Sequence, residues 1–249
     1  MHYISLIYEY HENAEQLPDS DYQALIEQHR ALQDPAQHAG FRGCGRLVAS
    51  RQAVSVRHDN AQSLITDGPF AECKEILVGF YHVESDDLDG ALAYARHIPT
   101  ASMAGVELRP VDAGHCPPSS GSPKLLTEAS THPVYALLNY LDAEVYDALS
   151  EDERQQLVDE NTRMAMRADE AGHYVFGHKL MSTLTSTSLR HGKIPYAMMD
   201  GPFAEAKEVL LGFHALRCAD IETAARYAAA LPEARIGVVE VREIDYLVY

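Results

Sequence analysis

The sequence predicts an α+β fold made of two similar domains that pack against each other within one chain. Three observations lead to this prediction. The chain contains an internal repeat, its two halves share one order of strands and helices, and a segment rich in Pro, Ser and Gly separates them. The composition agrees, because a chain of 249 residues with 46% hydrophobic and 23% charged residues can bury a core.

The repeat is clearest over residues 67–111 and 200–244. These segments align without a gap at a constant offset of 133, with 20 identities in 45 positions. A match of this length indicates that one domain has been duplicated. We therefore divide the chain into a first domain at 1–112, a linker at 113–131 and a second domain at 132–249.

Each domain is expected to follow the ferredoxin-like order βαββαβ. An alternating apolar segment at 2–10 predicts the first strand. Asp19-Ser20 can cap a helix that we expect from about residue 21 to residue 38, with Gly40 ending it. The first domain should continue with strands at 47–56, 63–66 and 75–83. A helix at 88–97 and a strand at 104–111 should complete it. The second domain repeats the strands at 180–189 and 197–199.

Several of these strands are apolar on both faces, so each face of the sheet needs a cover. Helices can cover one face, and the sheet of the other domain can cover the second. This predicts an intramolecular dimeric α+β barrel, with a pocket between the two sheets.

The charge of the chain restricts its partners. Asp and Glu number 37 against 20 Lys and Arg, a formal net charge of −17, which repels nucleic acids and anionic membranes. The beginning of the sequence lacks the features of a signal peptide, and the four Cys show no ligand or disulfide spacing. We expect a cytoplasmic protein that binds a small molecule as an intramolecular pseudo-dimer. Assembly into a homodimer stays open.

A motif occurs once in each domain, as DGPFAE-x-KE followed by an apolar strand with Gly-Phe, at 67–80 and 200–213. With the paired endings VELRPV and VEVREI, it resembles the YCII-related family in its DGPF branch. The resemblance implies a dimeric α+β barrel, here formed within one polypeptide. It also implies small-molecule chemistry, since a few relatives in the wider family are enzymes, such as a dehydrochlorinase that acts on a chlorinated hydroxyquinol.

His29 is the most informative polar residue. Leu25, Ile26 and Leu32 surround it at helical spacing, so His29 faces the sheet, and Asn161 takes the same place in the second domain. A polar group there must find a partner or face a cavity. The resemblance implies that His29 is one half of an acid–base pair. The Asp expected before the helix-ending Pro is replaced by Ile98 and Leu231, so an orienting carboxylate must come from elsewhere. A hydrogen-bonded core histidine is the alternative.

Other candidates lie on strands and turns. Tyr81 and its counterpart His214 share a strand face with glycines, which leaves space for a ligand or for side chains of the other domain. Asp67 and Asp200 begin the DGPF turns, where each is either a turn residue or a proton acceptor. Arg46 and Lys179 are candidates for binding an anionic substrate, with Asn161 and Asp200.

The thirteen histidines form no recognisable ligand set, and phosphate loops and dinucleotide motifs are absent, so the sequence predicts neither a metal nor a cofactor.

Two functions remain open at this point. One is a cofactor-independent enzyme, of lyase, isomerase or dehalogenation type, that acts on a small cyclic or aromatic anion. His29 would be its general acid or base, with Asp67 as a further proton acceptor and with Tyr81 or His214 donating to an oxyanion. The other is a metabolite-binding or regulatory module without turnover. Because Tyr81 and His214 differ, we also hypothesise that only one of the two pseudo-equivalent sites is functional.

Overall fold

The fold is known from a computed structural model of the chain. It describes residues 1–10, 19–34, 36–60, 62–69, 75–99, 103–112, 126, 131–190, 197–203 and 207–249. An antiparallel sheet with helices packed on its faces forms a mixed α+β structure. Among the helices of these residues, none has the length and apolar character needed to cross a bilayer.

The two copies contain equivalent strands in the same order. The first copy consists of β1 (His2–Tyr10), α1 (Asp19–Leu32), β2 (Phe41–Leu47), β3 (Val54–Asp59), β4 (Gln62–Asp67), β5 (Glu75–Glu84), α2 (Leu88–Ala95) and β6 (Met103–Pro110). The second consists of β7 (Val134–Asp142), α3 (Ala143–Ala148), α4 (Glu151–Glu170), β8 (Tyr174–Lys179), β9 (Thr187–Arg190), β10 (Ala197–Asp200), β11 (Glu208–Arg217), α5 (Ile221–Ala229), α6 (Glu233–Ile236) and β12 (Val238–Val248).

The strand order joins the copies at two places. It runs β10-β9-β6-β1-β5-β2-β12-β7-β11-β8, and β3 adds to β12 and carries β4. The last strand of each copy therefore pairs with strands of the other copy: β12 with β2 and β3, and β6 with β9. An isolated antiparallel bridge between Val111 and Leu180 connects the ends of β6 and β8.

Three predicted elements are wrong in their boundaries. The first helix ends at Leu32 and not near residue 38, since Pro35 disfavours helical geometry in the residue before it. The strand predicted at 47–56 is interrupted by a 3-10 turn at Ser50–Gln52. The segment predicted as one strand at 180–189 likewise contains a 3-10 turn, at Thr183–Thr185, before β9.

The glycine-rich strand β2 was not expected, because glycine is disfavoured in strands. Its glycines allow close packing: a Cβ on Gly45 would lie 2.5 Å from the Phe80 ring. Each copy also contains a hairpin, β3–β4 or β9–β10, in addition to the βαββαβ order.

The sheet separates three hydrophobic clusters. Alternate residues of β1 show this, because Ile4 and Leu6 lie in a central cluster formed by both copies, while Tyr3 and Ile7 contact the helices of the first copy. A third cluster, around Met164 on α4, lies under the helices of the second copy. Both faces of the sheet are thus covered, as the sequence predicts.

The DGPF motif forms a turn that supports the core. Gly68 and Gly201 have φ values of +90° and +99°, in the left-handed region that favours glycine. Phe203 is fully buried and stacks on Tyr8 of the first copy, with ring centroids 5.4 Å apart. Residues 70–74 of the first motif and most of the predicted linker lie outside the described residues, so the predicted domain boundaries stay predictions.

Two buried arginines link the copies reciprocally. Arg109 on β6 donates to the carbonyl oxygens of Leu210 at 2.7 Å and Met181 at 2.9 Å, both in the second copy. Arg242 on β12 donates to the equivalent oxygens of the first copy, those of Leu77 at 2.7 Å and Val48 at 2.9 Å.

A buried glutamate lies two residues before each arginine. The distance from Glu107 to Arg109 is 3.5 Å, and that from Glu240 to Arg242 is 3.3 Å. Glu107 also accepts the N–H of Phe203 at 2.9 Å. Burial raises the pKa of Glu107 and lowers that of Arg109, and their mutual attraction opposes both shifts.

We expect Arg109→Met to destabilise the protein by about 3–5 kcal/mol, because it leaves Glu107 buried without its charge partner. Arg242→Met should have a similar effect. Urea unfolding of each variant measures this loss, with Arg163→Met on the exposed face of α4 as the control. A loss for Arg109→Met no larger than that of the control would contradict the role of the buried pair.

Candidate functional site

A cavity of about 670 Å³ lies in the second copy, with walls formed by α4, β8, β11 and the turn at 181–184. Apolar side chains supply much of its lining, among them Leu157, Val158, Met166, Val209, Leu211 and Phe213. Polar groups converge on it from α4, α6 and β11. A concave apolar site with a few placed polar groups is the usual form of a small-molecule site.

Asn161 on α4 organises these polar groups. Its Nδ2 donates to the Glu233 carboxyl, at 2.9 Å from Oε1 and 3.2 Å from Oε2, and to the carbonyl of Leu157 at 2.9 Å. Its Oδ1 lies 2.9 Å from His214 Nε2 and accepts from Asn139 Nδ2 at 3.4 Å. Since the donors and acceptors agree with one amide orientation only, His214 carries its proton on Nε2.

The other ring nitrogen of His214 lies close to the backbone of Gly177, where a side chain would clash with it. His214 Nδ1 has no hydrogen-bond partner among the described residues. A Cβ on Gly177, the residue paired with His214 across β8 and β11, would lie 2.6 Å from this Nδ1 and 2.6 Å from the Tyr174 hydroxyl. Burial lowers the pKa of His214 to about 4, so its imidazole is neutral at neutral pH.

Glu233 is the buried acidic residue of the site, whereas Asp147 and Asp169, which also line the cavity, are exposed. It is the first residue of α6, directly after Pro232, and its exposed fraction is 4%. Burial raises the pKa of its carboxyl from 4.5 to about 7, against the opposing effect of the hydrogen bond from Asn161. The carboxyl therefore changes its protonation state close to neutral pH.

Two cations besides Arg109 line the cavity. Arg154 on α4 donates to the carbonyl of Asp147 at 3.1 Å and lies over the Tyr146 ring at 5.0 Å. Its Nε is buried and has no hydrogen-bond partner in the described part of the chain. Lys179 forms an ion pair with Asp112 at 3.1 Å.

The equivalent position in the first copy is filled by aromatic packing. His29 Nδ1 lies 2.7 Å from the Tyr81 hydroxyl, and the Tyr81 ring also contacts those of Phe41 and Tyr94, at centroid distances of 6.2 and 6.0 Å. Cys44 pairs with Tyr81 where Gly177 pairs with His214. Burial, then the nearby Arg46, lowers the pKa of His29 to about 4. The two copies thus differ in the groups they place at this point.

The structure brings together only some of the predicted site residues. Asn161, His214 and Lys179 line the cavity, whereas His29 and Tyr81 pair with each other in the first copy. The other three predicted residues are surface groups outside the cavity lining: Arg46, which pairs with Asp245 at 2.8 Å, and Asp67 and Asp200, exposed at the ends of β4 and β10. Their predicted roles stay predictions.

Glu233 and Arg154 were not predicted from the sequence. An acid was expected in place of Leu231, before the proline, and the carboxylate lies two residues later, after Pro232. A search for any acidic residue within one helical turn of that proline would have found Glu233. The corresponding Thr100 of the first copy lies outside the described residues.

The family of this chain is shown by a match that occurs once in each half of the repeat. The model of the YCII-related domain matches residues 1–113 and again residues 134–246. The chain belongs to the YCII-related family. It carries that domain twice, in tandem.

One relative and two solved structures are similar to this chain. The uncharacterized protein R00369 of Rhizobium meliloti (strain 1021) is 35% identical over 113 residues, which cover 91% of that protein and 45% of this chain. Two solved structures align along almost the whole YCII-related chain. A putative chlorite dismutase, TA0507, has a TM-score of 0.40 and 15% identity, with 98% of this chain and 94% of that chain covered. A putative monooxygenase (FN1347) from Fusobacterium nucleatum has a TM-score of 0.42 and 8% identity, with 97% and 91% covered.

Replacing Glu233 by Gln should change how stability depends on pH. The folded state binds this proton more tightly than the unfolded chain, so the contribution of the carboxyl is complete below pH 4.5 and is lost as the pH rises to about 7. Between pH 4.5 and 7, the free energy of unfolding of the natural protein should fall by roughly 3 kcal/mol more than that of Glu233→Gln.

Urea unfolding at a series of pH values measures the difference. The control is Glu222→Gln, which alters an exposed carboxyl on α5. If the curves of the natural protein and Glu233→Gln stay parallel between pH 4.5 and 7, the raised pKa of Glu233 is refuted.

Proposed function

We propose that this YCII-related protein is an enzyme that performs acid–base chemistry on a small cyclic or aromatic anion in the cavity of the second copy. The observation that carries the proposal is the buried Glu233 carboxyl, which Asn161 holds at the cavity wall and whose pKa is about 7. A proton-transfer group is most effective when its pKa is close to the working pH. Lyase and isomerase reactions both need such a group.

Each polar side chain has a role in this mechanism. The ionised Glu233 takes a proton from a carbon or oxygen of the substrate, and the protonated carboxyl returns it to the product or leaving group. Asn161 positions the carboxyl and holds the His214 ring. His214 stays neutral, so its Nδ1 lone pair accepts a hydrogen bond from the substrate once the site rearranges around an occupant. These steps use only side chains that line the cavity.

The lining supports the proposed substrate class. The apolar walls favour a ring, because burying apolar area gives about 25 cal/mol per Å². Arg154 is partly exposed, but its Nε is a buried donor without a partner among the described residues, which favours a carboxylate or phenolate on that ring. Lys179 is a further cation of the lining.

We also infer that the sheet closes into the dimeric α+β barrel. The Val111–Leu180 bridge supports closure, as do two backbone hydrogen bonds beside it, each 2.9 Å long. One runs from Asp112 N–H to the Lys179 carbonyl, and the other from Met181 N–H to the Pro110 carbonyl. The fused chain would then work as an intramolecular pseudo-dimer in the cytoplasm.

The asymmetry of the copies supports a single working site. Only the second copy combines an amide, an imidazole and a carboxyl around a described cavity, whereas His29 and Tyr81 satisfy each other among packed rings. Variants of His29 and of Glu233 or Asn161 therefore decide which copy contains the catalytic residues.

Incubation with a fractionated small-molecule extract, followed by untargeted mass spectrometry, tests the function. We expect the natural protein to convert one species into a product, with an isomer seen as a retention shift at equal mass. Glu233→Gln and Asn161→Ala should lower the rate by about 100-fold or more, whereas His29→Ala should retain most of it. Glu222→Gln is the matched control.

Three other outcomes would contradict the proposal. A species that is retained unchanged would indicate a binding module. Full activity of Glu233→Gln would remove the proposed acid–base group. An equal loss for His29→Ala and Asn161→Ala would contradict a single site.

A further inference from the structure

Four aromatic side chains form a hydrogen-bonded chain through the interior of the molecule. His2 Nδ1 lies 3.0 Å from His82 Nε2, and His82 Nδ1 lies 2.9 Å from the Tyr249 hydroxyl. The same hydroxyl lies 2.5 Å from His178 Nε2. His2 is partly exposed, His82 and His178 are buried, and His178 is also part of the cavity lining. The chain thus runs from the surface at β1 to the cavity of the second copy.

The chemistry of these groups restricts how their protons are arranged. A neutral imidazole has one N–H and one lone pair, and a tyrosine hydroxyl has one proton. If the tyrosine proton stays within the chain, all three contacts can be made in two orders only. In one order every group donates toward His178, and in the other every group donates toward His2. Moving one proton along the whole chain converts the first order into the second.

We propose that His2, His82, Tyr249 and His178 are a proton path between solvent and the cavity. This inference rests on the proposed function, since a site that gains or loses a net proton in a turnover must exchange it with solvent before the next one. In the inward direction, His2 takes a proton from water on Nε2 and passes its Nδ1 proton to His82 Nε2. His82 passes its Nδ1 proton to the Tyr249 oxygen, and the tyrosine passes its own proton to His178 Nε2. One proton enters at His2, and one extra proton arrives on His178.

The surroundings favour neutral His82 and His178 rings at rest. Burial, then the nearby His2 and Arg42, lowers the pKa of His82 to about 3. Burial, then the nearby histidines, holds the pKa of His178 well below its usual range. Arg42 is itself paired with Glu84 at 2.8 Å. A protonated His178 is therefore a strong acid, which passes its proton on to an occupant of the cavity or back along the chain.

The path has no equivalent in the other half of the repeat. At the offset of 133, His82 corresponds to Ala215 and His178 to Gly45. The strand pairing places Val134 where the first copy has His2. The fused chain can therefore supply one cavity only, and this is the cavity that contains Glu233.

The exchange of the His178 ring N–H with water, measured by NMR on the ¹⁵N-labelled full chain, tests the path directly. Tyr249→Phe removes the linking hydroxyl and preserves the ring that stacks on Phe176 at 3.9 Å. His2→Phe removes the end at the surface. We expect both variants to slow the exchange by about tenfold or more. Tyr246→Phe is the control, since its hydroxyl donates to Gln33 outside the path.

The competing route is direct exchange through the cavity. If His178 exchanges in Tyr249→Phe and His2→Phe as fast as in Tyr246→Phe, the path is overturned, whatever the protein catalyses. If the exchange slows while Glu233→Gln remains fully active, the path stands and the proposed role of Glu233 fails. Once a converted species is known, the path also predicts a lower kcat with unchanged KM for Tyr249→Phe.

Discussion

The reciprocal pairing of Arg109 and Arg242 with the opposite copy is the constraint on which the other features depend. Each guanidinium is buried and bonded to carbonyl oxygens of the other copy, which favours one register between the strands of the two copies. A buried ion pair adds little stability by itself, and fixing one arrangement is its best-attested use. Arg109 also lines the cavity and binds the carbonyls of Met181 and Leu210 on its walls. The contact that joins the copies therefore also shapes the site.

On this shared scaffold the two copies have different interiors. A homodimer would place identical groups on both sides, whereas a fused duplication can change each side separately. In the first copy, Cys44 and Tyr81 fill the space beside His29. In the second copy, Gly177 lets the His214 ring and the Tyr174 hydroxyl lie where a Cβ would clash with them. The small residue and the imidazole thus occur in the same copy as the carboxyl of Glu233, and the proposed function follows from this combination.

Local signals predicted the fold better than they predicted the site. The Asp87 cap of α2 and the apolar strand β5 follow from capping and hydrophobic periodicity, and both occur in the structure. The strand β2 was missed because its glycines allow close packing, Gly45 against Phe80 and Gly43 against Tyr249, which local propensity does not show. Glu233 was missed for a related reason, since its importance depends on burial beside Asn161 and not on its place in a motif. Both the formation of β2 and the importance of Glu233 depend on contacts between segments that are distant in the sequence.

The central claim is that the second copy alone contains the working site. Hydrogen–deuterium exchange, measured with and without the extract fraction that the protein converts or retains, tests it most directly. We predict slower amide exchange in α4, β8 and β11 and no change in α1, β2 and β5. Slower exchange confined to α1, β2 and β5, or equal changes in both copies, would contradict the account.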